Sequence, residues 1–64
     1  MSCIIVYRDK RWELKDGMTV RDAILKVGLD VEAVLAMRDG QLINEETITR
    51  DGDVIKLIAV VSGG

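Results

Sequence analysis

Val54-Ile55-Lys56-Leu57-Ile58-Ala59-Val60 is apolar at every position but Lys56. A strand with one wet face alternates apolar and polar residues; this one does not, so it reads as a central strand. Asp51-Gly52-Asp53 ahead of it is a turn. Behind it runs Val61-Ser62-Gly63-Gly64. Two glycines in succession have no side chain to pack and no conformation to enforce. Only glycine can lie in a channel too narrow for a Cβ. Residues 1–60 are therefore expected to form the folded domain and 61–64 a flexible diglycine tail.

A central strand needs neighbours on both sides, and the rest of the chain supplies them. Cys3-Ile4-Ile5-Val6-Tyr7-Arg8 is an apolar run suited to the middle of a sheet. After the polar turn Arg8-Asp9-Lys10-Arg11, the stretch Arg11-Trp12-Glu13-Leu14-Lys15 alternates cleanly. Tyr7 is expected opposite Trp12 and Ile5 opposite Leu14, which turns Cys3, Ile5, Tyr7, Trp12 and Leu14 to the core. Asp16-Gly17 leads into a helix with Thr19 as N-cap and Asp22 three residues on, an approximate capping box. Val20, Ala23, Ile24 and Val27 make its apolar stripe. Gly28 suits the C′ position and Leu29 the residue after it, closing a Schellman motif. Asp30 to Ala33 connects, as a helical turn, to a third strand, Val34 to Arg38. Asp39-Gly40 is a primed hairpin turn, and Gln41-Leu42-Ile43 returns with Leu42 opposite Met37. Ile48 is expected to pin the polar loop that follows. Two hairpins and a final strand lying parallel beside the first, with one helix on one face, make the β-grasp arrangement: an α+β fold with a mixed five-stranded sheet.

Composition narrows the chemistry. The chain has 64 residues, one cysteine, no histidine and a net charge of −2. A single cysteine excludes an internal disulfide, and nothing resembles a Cys/His metal set. The charge balance speaks against nonspecific nucleic-acid binding. Apolar runs are far shorter than the roughly 20 residues that span a membrane. The absence of an export signal and of paired cysteines points to the cytoplasm. With no histidine, no nucleophile–base pair and no phosphate loop, the chain is not expected to be an enzyme.

Gly17-x-Thr19-Val20 at the helix start, Asp51-Gly52-Asp53, and Ser62-Gly63-Gly64 together resemble the small ubiquitin-like sulfur carriers of thiamine, molybdopterin and tRNA 2-thiouridine synthesis. The resemblance covers essentially the whole chain, and Val34 to Arg38 with its spacing to Gly64 looks most like the tRNA-thiolation carrier. Paired prolines before the diglycine, frequent in molybdopterin synthase small subunits, are missing. The resemblance implies that a ubiquitin-activating-like enzyme adenylates the Gly64 carboxylate with ATP. A cysteine desulfurase or rhodanese-like donor then converts it to a thiocarboxylate, and a synthase or tRNA thiolase takes the sulfur. Gly63 is the side-chain-free approach. The chain itself would bind no cofactor, no metal and no nucleic acid, and would be monomeric when free.

Alternation along the last strand turns Ile55, Leu57 and Ala59 inward, and Ile58 and Val60 outward. Ile4 and Val6 share that outer face. With Val61 and Ser62 of the tail, these four are the expected partner-binding set, an apolar patch at the root of an arm that reaches about 13 Å at ~3.3 Å per residue. Cys3 reads as a packed thiol, Trp12 as hairpin packing, Arg8, Lys10, Arg11 and Lys15 as a solvated cluster, and Asp51 and Asp53 as turn formers rather than a metal or acid–base pair. Two other classes use the same features. A ubiquitin-like modifier would end in an isopeptide bond through Gly64. A non-covalent module of the TGS type shares the Asp16-Gly17-x-Thr19-Val20 opening.

Overall fold

The computed structural model describes residues 1–60. Its strands are β1 (Ser2–Tyr7), β2 (Lys10–Lys15), β3 (Val34–Arg38), β4 (Gln41–Ile43) and β5 (Val54–Ala59), and its helix is α1 (Val20–Lys26). A 3-10 turn, Val31–Ala33, follows Asp30. The sheet order is β2-β1-β5-β3-β4. β5 lies in the centre, parallel to β1 and antiparallel to β3. This is the ubiquitin-like β-grasp expected from the sequence.

The short helix is held at both ends. Thr19 Oγ1 accepts the Asp22 amide at 3.1 Å. The amides of Val20 and Arg21 donate to the carbonyls of Thr47 and Glu45, at 2.8 and 2.9 Å. Three of the four donors that a helix start leaves without intrahelical partners are thus used, and the capping box is half formed: no bond runs from the Thr19 amide back to the Asp22 carboxylate. At the other end Leu29 N–H reaches the Ile24 carbonyl and Gly28 N–H the Leu25 carbonyl, the two bonds of a Schellman motif, with Gly28 at φ 84°. Seven residues would not stay helical alone. Val20, Ala23 and Ile24 are buried against Ile5, Ile55, Leu57, Val34 and Ala36 of the sheet. Tyr7, Trp12, Leu14 and Val27 pack around that core, and Cys3 is fully buried.

Two expectations are corrected. The first hairpin pairs Ile5 with Trp12 and Cys3 with Leu14. The register is two residues away from Tyr7–Trp12, because a two-residue turn, Arg8-Asp9, closes the hairpin. A shift of two keeps every side chain on its face, so the core assignment survives. Arg8 adopts φ 56°, and its guanidinium lies 5.3 Å from the centre of the Tyr7 ring. The second correction concerns Ile48, which is 50% exposed. The loop is pinned instead by its neighbour Thr49, 1% exposed.

The turns behave as read. Asp39 and Gly40 both have positive φ, as a type I′ turn requires, and Met37 faces Leu42. Asp51 Oδ1 accepts the Ser2 amide, while Asp53 Oδ2 accepts the Arg50 amide and an Arg38 Nη1 hydrogen. Both carboxylates are engaged in closing the turn before β5.

Candidate functional site at the root of the C-terminal segment

β5 delivers the chain to Val60, whose amide donates to the Ala33 carbonyl at 2.8 Å. Val61, Ser62, Gly63 and Gly64, the four tail residues singled out from the sequence, lie outside the described residues. The site can therefore be built up to the point where the tail begins.

One face of the sheet is covered by α1. The other carries no helix among the described residues, and its composition follows from pairing. Ile4 lies beside Val54 and Val6 beside Lys56 in the parallel β1–β5 ladder. Across the β3–β5 ladder, Leu35 lies beside Ile58 and Met37 beside Lys56. Ile58 and Val60 are exposed, and Ile4 and Val6 half-buried. The structure thus brings the four expected outward residues onto one surface. Ile58 and Val60 sit nearest the tail, while Ile4 lies two rows further back.

The same surface holds apolar residues that sequence reasoning did not assign to it. Val54 is 52% exposed, Leu35 43% and Leu42 63%, with Met37 half-buried between them. The signal was available. Once β3 pairs with β5, the burial of Val34 and Ala36 forces Leu35 and Met37 outward. The apolar surface therefore extends across β1, β5, β3 and β4, larger than a patch on two strands. Scattered exposed leucines need no explanation, but apolar residues neighbouring one another over four strands, around Lys56, are a larger exposed group than a strand pattern alone requires.

Other groups are arranged structurally. The Cys3 thiol is sealed in the core. On the helix side, Arg21, Leu25, Asp30, Val31, Glu32 and Glu45 line an open groove. No buried side-chain donor or acceptor among the described residues lacks a partner. Among the described residues, no helix is long and apolar enough to cross a membrane.

The ThiS family model matches residues 3–64, which takes in the sheet from Cys3 onward, the helix and the terminal diglycine. The chain belongs to the ThiS family. As a ThiS-family chain it is one of the small ubiquitin-like sulfur carriers, and its likeness to individual proteins agrees with that. It is 31% identical over 55 residues to sulfur carrier protein TtuB of Thermus thermophilus, an alignment covering 86% of this chain and 85% of the relative. It also superposes on the solution structure of the N-terminal ubiquitin-like domain in the 4931431F19Rik protein, with a TM-score of 0.72. That match covers 100% of this chain and 78% of the other at 15% identity, a likeness of fold.

Proposed function

We propose that this ThiS-family chain carries sulfur on the carboxylate of Gly64 and delivers it to tRNA thiolation or to thiamine or molybdopterin synthesis, acting in the cytoplasm as a protein co-substrate rather than an enzyme. The observation that carries the reading is that the family match extends through Gly63-Gly64. Likeness to a sulfur carrier over most of both chains supports it.

The chemistry needs no catalytic group on this chain. A carboxylate resists nucleophiles because of its charge and because oxide does not leave. Attack of the Gly64 carboxylate on the α-phosphate of ATP, on a partner enzyme, releases pyrophosphate and gives an acyl adenylate, which removes the charge from the acyl group and supplies AMP as a leaving group. The terminal sulfur of a persulfide then attacks the acyl carbon and AMP leaves. A thiol of the donor machinery cleaves the sulfur–sulfur bond, leaving a thiocarboxylate here and a disulfide there. The thiocarboxylate sulfur then attacks an activated acceptor carbon, displacing its leaving group, and water cleaves the resulting thioester, so the sulfur stays on the acceptor and the Gly64 carboxylate is restored.

In this reading residues 1–60 are the handle and 61–64 the arm. Ile4, Val6, Ile58 and Val60, extended by Leu35 and Met37, dock the partner, while Val61 and Ser62 line the approach and Gly63 lets the chain enter a narrow channel. Docking converts transfer into an effectively unimolecular step. It also offsets the ordering of the arm, about 1–2 kcal/mol per residue fixed.

The test is the intact mass of the purified chain after incubation with ATP, the cognate activating enzyme and a persulfide donor. The expected product replaces one oxygen by sulfur, within the C-terminal peptide and dependent on Gly64. A plain carboxylate after that incubation would overturn the reading. High-mass adducts that vanish when Gly64 is deleted would identify a protein modifier instead.

A further inference from the structure

Lys56 stands in the middle of the bare sheet face. Its neighbours there are Val54 and Ile58 along β5, Val6 across the β1 ladder and Met37 across the β3 ladder. All four are apolar. A charged residue on an edge strand guards against edge-to-edge pairing, but β5 is the central strand, so that explanation does not reach Lys56. The β1–β2 ladder puts Arg11 on the other side of Val6. Arg11, Val6, Lys56 and Met37 thus form one row across the sheet, with the two cations bracketing Val6. At ~4.8 Å per strand their Cα atoms are about 10 Å apart.

Both side chains are exposed. The one ion pair among the described residues joins Arg38 to Asp53, so neither Arg11 nor Lys56 has a carboxylate within salt-bridge distance there. From Lys56 the chain runs on through Ile58, on the same face, to Val60, where the tail begins.

We propose that Arg11 and Lys56 form a two-cation clamp for a carboxylate of the activating enzyme, set over Val6 within the apolar docking face. This rests on the sulfur-carrier reading and gives its partner a chemistry: an apolar surface bearing at least one acidic side chain. Exclusion of water by Ile58, Met37 and Val54 strengthens such a pair relative to a solvated one. The clamp fixes register on a face that apolar contact alone would let slide.

The test uses full-length chain, ATP and the cognate activating enzyme, reading pyrophosphate release. Arg11→Glu and Lys56→Glu are compared with Lys26→Glu, an exposed charge on α1, after thermal melts establish that all three fold. Each clamp variant is expected to lower kcat/KM at least about tenfold, mainly through KM, with Lys26→Glu near wild type. Raised salt should weaken wild type and leave the Arg11→Gln/Lys56→Gln double variant nearly unaffected. Clamp variants that match Lys26→Glu while wild type is active overturn the clamp alone. A wild type that is never adenylated removes the sulfur-carrier reading and the clamp together. Loss of tRNA retention on a filter in the clamp variants, with activation unchanged, would reassign the cations to nucleic-acid phosphates and overturn the inference.

Discussion

Thr49 gives both of its donors to one oxygen. Its amide and its hydroxyl each reach the Met18 carbonyl at 2.8 Å, and its own carbonyl accepts the Gly17 amide at 2.9 Å. The loop between β4 and β5 is thereby fastened to the chain just ahead of α1. Thr49→Val keeps the shape and the backbone bonds but loses the hydroxyl bond, so it is expected to cost about 1 kcal/mol of unfolding free energy. Urea denaturation of the pair of proteins measures this.

Gly28 separates conformational cost from steric cost. A Cβ built on it meets nothing within 4 Å, yet its φ is +84°. Gly28→Ala is therefore expected to destabilise by about 1 kcal/mol through backbone conformation alone. The lowered midpoint should come without a change in denaturant m-value.

Ile24 and Ile58 have the same side chain and different duties. Ile24 is 2% exposed in the core, and Ile24→Ala is expected to cost about 2–5 kcal/mol, a large part of the stability of so small a domain. Ile58 lies on the bare face, and Ile58→Ser should leave most of the stability intact while raising KM with the activating enzyme about tenfold. Thermal melts beside steady-state activation kinetics distinguish the two.

Arg38 Nη1 donates to Asp53 Oδ2 at 3.0 Å, and the same carboxylate oxygen accepts the Arg50 amide. Asp53→Ala removes both bonds and Arg38→Ala one. The aspartate variant should be the less stable, with a coupling energy of about 0.5–1 kcal/mol in the double-mutant cycle. Measurement at raised salt should shrink the coupling.

The helix was legible to the residue because its ends are written in chemistry: Thr19 and Asp22 at one, Gly28 and Leu29 at the other. Strand order was legible because β5 has no polar face to show. The first hairpin's register was not. Parity assigns faces and is blind to a shift of two, and an arginine at φ 56° gives no sign of a turn that glycine usually marks. Ile48 misled because an apolar letter in a polar loop suggests burial. Irregular backbone needs donors and acceptors more than it needs methyl groups, and Thr49 supplies them. The outer face was half seen, since its β3 portion exists only once β3 and β5 are paired.

The middle of the sheet is the last strand to be made. Without β5, β1–β2 and β3–β4 are separate hairpins with no common ladder, and neither the core nor the bare face exists. Joining β1 to β5 must span nearly the whole chain, a slow kind of closure. An enzyme that recognises this face therefore examines more than a surface. Any chain presenting it already has β5 seated between β1 and β3. The face is thus a report on folding as well as a surface, and a chain that has not paired β5 cannot offer it.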